Sequence, residues 1–113
     1  MLPMRQSLES TREIALDALG SAVRRQILGI LAAGPVSVGD IAEQLPVSRP
    51  AVSRHLRLLT RAQLVTHERR ATRNVFRLNG DGFQKVRSYL DEFWDQALPR
   101  FAARAEALER EGR

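Results

Sequence analysis

The chain has 113 residues, 43% of them hydrophobic and 27% charged, with a net charge of +5, a size that predicts one domain around a modest core. It contains no cysteine, which excludes disulfides, thiol nucleophiles and thiolate metal ligands. The first five residues lack the apolar run of a signal peptide, and the longest apolar run, Ile27 to Ala33, is far too short to span a bilayer, so a cytoplasmic protein without a membrane partner is expected.

Residues 1–9 read as a loose arm or frayed helix start. Ser10-Thr11-Arg12-Glu13 fits a capping box, serine at the cap and an acid three residues on. Ile14, Ala15, Ala18 and Leu19 then share a helical face, and Gly20 is placed to end the helix in a left-handed turn. Ser21 suits the cap of a second helix, striped by Val23, Ile27, Ile30 and Leu31 and stopped by Gly34-Pro35. Ser37-Val38-Gly39-Asp40 is a further capping box, followed by the stripe Val38, Ile41, Ala42 and Leu45. Pro46 ends that helix by disfavouring helical geometry at Leu45.

Ser48 is the expected N-cap of the next helix, with Pro50 in the first turn, where its missing N–H costs nothing. Val47 and Val52 occupy the positions of a hydrophobic staple. Val52, Leu56 and Leu59 bury one face and leave Arg49, Ser53, Arg54 and Arg57 on the other. Two helices joined by a short turn, the second with an apolar stripe and a basic face, describe a helix-turn-helix. Leu64 to Glu68 and Val75 to Leu78 read as two strands, with Arg69 to Asn74 as a six-residue tip; Phe76 and Leu78 point to the core by the period of two. The fold class expected is mainly α with a small β-hairpin: a winged helix-turn-helix of about five helices and a two-stranded wing.

Asp81 is placed to cap the last helix, along which Phe83, Val86, Leu90, Phe93, Trp94, Ala97 and Phe101 run at helical spacing. Five of the six aromatic residues lie in this segment. Pro99 is expected to kink or end the helix. Residues 10–101 are thus read as one winged helix-turn-helix domain, and residues 102–113 as a charged tail that can continue as an exposed helix.

Charge is uneven along the chain. Between positions 49 and 77 lie eight arginines and one acid, Glu68, so this stretch carries more positive charge than the whole. Such a footprint, starting in a capped helix and ending in a hairpin, points to nucleic acid. The expected DNA-binding residues are Ser37, Ser48, Arg49, Ser53, Arg54, His55, Arg57, Arg61, Arg69, Arg70 and Arg73. Arg49, Ser53 and Arg54 are read as facing one way, toward base edges in the major groove. Arg57, Arg61 and the wing arginines are read as meeting the backbone or an adjacent minor groove. His55 and His67 are isolated and do not supply the three or four ligands that zinc wants, so no metal and no cofactor is expected. Asp91, Glu92 and Asp95 read as solvent-facing acids. No catalytic constellation is present, and an enzyme is not expected.

In this order and spacing the segments Leu19-Gly20-Ser21-Ala22-Val23-Arg24-Arg25-Gln26-Ile27-Leu28, Val36-Ser37-Val38-Gly39-Asp40-Ile41-Ala42, Val47-Ser48-Arg49-Pro50-Ala51-Val52-Ser53-Arg54-His55-Leu56 and Leu64-Val65 carry a family resemblance. Over about residues 12 to 98 the chain resembles the ArsR/SmtB family of small bacterial winged-helix repressors. Tyr89-Leu90-Asp91-Glu92-Phe93-Trp94 is similar to the last helix of its non-metal branch. The resemblance implies a homodimer built from the first and last helices, with Ile14, Leu19, Phe83, Val86, Leu90, Phe93, Trp94 and Phe101 at the interface. It also implies repression at an operator in double-stranded DNA, expected to be palindromic and relieved by a signal that the residues do not name. Ser37 and Gly39 stand where metal-sensing relatives often carry two cysteines. Gln63 stands where relatives usually have glycine; in a left-handed conformation it is disfavoured by roughly 1 kcal/mol. Two alternatives stay open: an architectural DNA-binding protein without a defined operator, and a winged helix that docks another protein.

Overall fold

The computed structural model describes residues 4–112, with side chains over 11–112. Its elements in chain order are helix α1 (Met4–Leu19), helix α2 (Ala22–Ala32), strand β1 (Val36–Ser37), helix α3 (Val38–Glu43), helix α4 (Arg49–Arg61), strand β2 (Val65–Arg70), strand β3 (Arg73–Leu78) and helix α5 (Gly80–Glu111). This is the expected winged helix-turn-helix, with differences that each have a local cause.

Helix α1 starts at Met4, so Ser10 lies in its interior and does not cap it. Met, Arg, Gln, Leu and Glu before Ser10 are all good helix formers, and no glycine or proline interrupts them. The expected arm is therefore helical from Met4, and its first three residues lie outside the described ones. Gly20 is not left-handed; among the described glycines only Gly34, with φ 144°, has a positive φ. The end of α1 is closed from outside itself. Arg24 Nε donates to the carbonyl of Ala18 at 2.7 Å, Arg24 Nη2 to that of Asp17 at 3.1 Å, and Arg25 Nη1 to that of Leu19 at 2.7 Å. Cationic donors there also complement the negative end of the helix dipole.

Three serine caps stand where the sequence puts them. Ser21 Oγ accepts from the N–H of Arg24 at 3.3 Å, Ser37 Oγ from Asp40 at 3.3 Å, and Ser48 Oγ from Ala51 at 3.2 Å. Each capping residue is extended while the next residues are helical, the geometry that satisfies an orphan N–H of the first turn.

The sheet has three antiparallel strands in the order β1-β3-β2, one more than expected. Val36 pairs with Phe76 and Ser37 with Val75. A two-residue strand is too short to show alternation, and it exists because the free edge of β3 lies beside it. The hairpin tip is also tighter than expected. Arg70 pairs with Arg73 and Arg69 with Asn74, so only Ala71 and Thr72 form the turn, with Ala71 at φ 53°.

The core is built from Ile27 of α2, Ile41 of α3, Val52, Leu56 and Leu59 of α4, and Leu64 and Val65 at the entry to β2, all fully buried. Burial of each is worth roughly 1.5–3 kcal/mol against leaving it in water. Phe76 and Val86 close its edges, and Leu19, Phe83 and Leu78 pack partly against it.

Helix α5 begins after Asn79, not at Asp81. The Asn79 carbonyl accepts from the N–H groups of Gly82 and Phe83, while its side chain donates to the Gln63 carbonyl at 2.9 Å. Asp81 sits instead in the first turn, where its charge still favours the helix dipole. Pro99 lies inside α5 and does not end it. It removes one backbone hydrogen bond, and intact helix on both sides carries the chain to Glu111. The expected division at residues 101 and 102 thus falls within a continuous helix. No helix among the described residues is long and apolar enough to cross a membrane.

Candidate nucleic-acid interface

Helices α3 and α4, joined by residues 44–48, form the helix-turn-helix. The buried stripe Val52, Leu56, Leu59 fixes how α4 rotates on the core. Arg49, Arg54, Arg57 and Arg61 are consequently exposed, and Ser53 and His55 half-buried. The arginines do not share one face. Arg49 and Ser53 line a pocket of about 380 Å³ with Gly39, Asp40 and Glu43 of α3 and Thr72, Arg73 and Asn74 of the wing. Ser53, Arg57, Thr60 and Arg61 line a second, of about 500 Å³, with His67, Asn74 and Phe76 of the hairpin and Val38. Arg54 lines neither. One residue step turns a helix by about 100°, so Arg54 projects away from Ser53 and does not face with it as expected. Arg49 lies with its guanidinium carbon 3.9 Å from where a side chain on Gly39 would begin.

The wing presents two faces, set by the pairing register. His67, Phe76, Arg69 and Asn74 share one, and Glu68, Val75, Arg70 and Arg73 the other. The first face turns toward α4, with His67 and Phe76 in ring contact at 5.0 Å. The second turns toward α3 and β1, where Val75, Arg70 and Arg73 border Pro35, Asp40 and Glu43. Its two arginines are already engaged: Arg70 Nη2 lies 2.7 Å from Glu68 Oε1, and Arg73 Nη1 lies 3.6 Å from Asp40 Oδ2. Arg49, Arg54, Arg57, Arg61, Arg69 and Arg77 have no ion pair among the described residues. Arg69, Arg70 and Arg73 all belong to strands, not to a loose tip.

Ser37 and His55, both expected to contact DNA, have polar atoms engaged within the fold. Ser37 is buried, 8% exposed, with its hydroxyl in the cap of α3. His55 turns Nδ1 inward, 3.5 Å from Arg24 Nη1. Burial pushes the His55 pKa below its usual 6.5, and the positive charges of Arg24 and then Arg54 push the same way. Conversely, Asn74 and Thr72 lie among the groove residues although their types gave no signal; only the hairpin register places them there.

A second surface is apolar. Leu90, Phe93, Trp94, Leu98 and Phe101 follow one another along α5 and are 43%, 52%, 52%, 52% and 73% exposed, with Leu108 beyond them and Ile14 exposed on α1. Phe93 and Trp94 meet edge to face with centroids 5.7 Å apart. Of the residues expected at an interface, Val86 is 8% exposed and belongs to the subunit's own core, as do Leu19 and Phe83 in part. Val86 lies in the second turn of α5, where the chain still packs on the buried core; Leu98 and Leu108 extend the exposed row instead. Arg12 anchors α1 to α5, 3.5 Å from Glu92 and 5.6 Å above the Tyr89 ring.

Residues 19–68, which hold the helix-turn-helix, match the family described as a helix-turn-helix domain. The chain is 47% identical over 88 residues to the HTH-type transcriptional regulator Rv2034 of Mycobacterium tuberculosis, covering 78% of this chain and 82% of that one. It is 36% identical over 62 residues to the transcriptional repressor SdpR of Bacillus subtilis, covering 55% and 69%. Among solved structures it superposes with TM-score 0.68 and 25% identity on Mb0332 of Mycobacterium bovis, covering 88% and 93%; that protein is described as a homodimeric winged helix-turn-helix DNA-binding domain and a possible ArsR-family transcriptional regulator.

Proposed function

The chain belongs to the ArsR family of winged helix-turn-helix transcriptional regulators, and we propose that it is a homodimeric repressor acting at a palindromic DNA operator. The observation that carries this reading is the groove between α4 and the wing, bordered by Arg49, Arg57 and Arg61, which have no acid partner among the described residues. An α-helix fits the major groove, where arginine pairs with guanine edges and serine with either edge. Phosphate neutralisation by the remaining arginines supplies affinity for any duplex. The name of SdpR supports repression, and the homodimeric Mb0332 supports self-association. The exposed row on α5 gives that dimer an apolar surface to bury. In a two-fold dimer, the two recognition helices read half-sites about 34 Å apart, or multiples of that.

In-vitro selection of bound duplexes from a random pool tests this. A palindromic consensus is expected; enrichment of no sequence would favour an architectural role, and no binding at any salt would remove DNA from the function. Operator binding is also expected to be indifferent to zinc, cadmium and arsenite. The chain has no cysteine, and no group of three metal-ligating side chains occurs among the described residues. Release of the operator by micromolar metal with a defined stoichiometry would contradict that.

A further inference from the structure

The Arg24 side chain joins three elements. From the first turn of α2 it holds two carbonyls at the end of α1, Ala18 at 2.7 Å and Asp17 at 3.1 Å. Its remaining terminal nitrogen reaches Nδ1 of His55, midway along α4, at 3.5 Å. A guanidinium only donates, so this contact needs a lone pair on Nδ1 and the ring proton on Nε2. Ser21 Oγ holds the backbone N–H of Arg24 itself. Beside this node, Ile14, Asp17 and Ala18 of α1 face Leu58 and Arg61 of α4 across a recess of about 250 Å³. Direct packing between the two helices is therefore incomplete there, and the arginine bridges them.

We propose that Arg24 is a positioning residue for DNA recognition, which locks the recognition helix to the end of α1 through His55, and that protonation of His55 opens the lock. The proposal rests on reading α4 as the helix that enters DNA. An imidazolium has no acceptor to offer. It would face Arg24 from α2 and Arg54 from its own helix, with Asp17 of α1 and Arg61 of α4 lining the neighbouring recess. Because burial, Arg24 and then Arg54 depress the His55 pKa below 6.5, the lock is closed at neutral pH and opens on acidification below that value.

The consequence falls on specificity. In a dimer joined through α1 and α5, the angle of α4 to α1 sets the separation of the two recognition helices, and half-site spacing is a geometric requirement. Attraction to phosphates makes no such demand, and a protonated His55 adds to it. Acid should thus lower the ratio of operator to random-sequence affinity without weakening binding to random DNA.

The test uses the full chain, a selected operator and a scrambled duplex, followed by fluorescence anisotropy from about pH 8 to about pH 5.5. The wild-type ratio is expected to fall about fivefold or more, the lower end of ordinary coupling between sites. His55→Gln keeps an uncharged acceptor, so its ratio should stay flat. Arg24→Lys keeps the charge but lacks the fork, so its ratio should be low already at the high-pH end; should it fail to fold, the wild-type series and His55→Gln decide. In the free protein, NMR titration of the His55 ring should move toward 6.5 in Arg24→Gln. A pH-independent wild-type ratio, the same fall in His55→Gln, or an unmoved His55 titration would overturn the lock alone. If neither duplex is bound at about pH 8, the DNA-binding reading fails and takes the lock with it.

Discussion

Arg69 and Arg73 sit on opposite faces of one hairpin, and that difference separates their roles. Arg73 already lies 3.6 Å from Asp40, while Arg69 has no acid partner among the described residues. A phosphate contact contributes about one unit to the salt dependence of binding, so Arg69→Ala should lower the slope of log K against log salt by roughly 1 on operator and scrambled duplex alike. Arg73→Ala should change it by less than half as much, because Arg73 is already paired with Asp40 and neutralises less phosphate charge to begin with. Arg54, exposed and apart from the wing, should behave differently: Arg54→Ala is expected to cost about 1–3 kcal/mol on the operator and to relax sequence preference. Equal loss on both duplexes for Arg54→Ala would reverse this division. His55 gives a second, DNA-free prediction. Its folded pKa is depressed, so the unfolded chain binds the proton more readily; the contribution to stability is present above 6.5 and lost as pH falls through the lower folded value. Urea midpoints should drop as pH falls from 6.5 through that lower value, and His55→Gln should flatten the drop.

At the junction of α4, β2 and α5 two backbones nearly touch. A side chain on Gly82 would begin 1.7 Å from the Gln63 carbonyl oxygen, and Gln63 itself is left-handed at φ 62°. Asn79 donates to that same carbonyl, and Lys85 Nζ to Gln63 Oε1 at 3.0 Å. The junction sets how α5 leaves the winged domain. Gly82→Ala should destabilise by about 1–3 kcal/mol or more, the cost of overpacking against atoms that cannot retreat. Gln63→Gly should instead stabilise by about 1 kcal/mol, by relieving the left-handed side chain. Urea denaturation measures both, and a neutral Gly82→Ala would show that α5 shifts freely at its start. The left-handed site was legible from the sequence by the odd residue at Gln63; the demand on Gly82 was not, since it comes from an element sixteen or more residues away.

As a whole the molecule is elongated, with a radius of gyration of 19.0 Å, whereas a compact chain of this length has roughly 13 Å. The long axis measures 68 Å, and a helix the length of α5 alone spans about 48 Å. From Asp91 to Glu111 every residue of α5 except Ala97 and Ala107 is exposed. Five large apolar side chains in a row from Leu90 to Phe101 are an aggregation liability in a monomer, and a two-fold contact that pairs the same patch on two subunits removes it. Replacing Leu90 and Phe93 by Glu is therefore expected to give a folded monomer or an unfolded chain by light scattering and circular dichroism. A double variant that remains a stable dimer would place the interface elsewhere.

What the sequence determined by itself was local: the caps at Ser21, Ser37 and Ser48, the stripe Val52, Leu56, Leu59, the two hairpin strands and the concentration of arginine. Caps and stripes depend on neighbours within one or two turns, and charge on composition, so both can be read along the chain. Tertiary structure decided the third strand at Val36–Ser37, the burial of Val86 and the pairing of Arg73 with Asp40. Each of these turns on which distant element arrives alongside, and a strand edge, a carbonyl or an acid shows no partner until the fold brings one within hydrogen-bond reach.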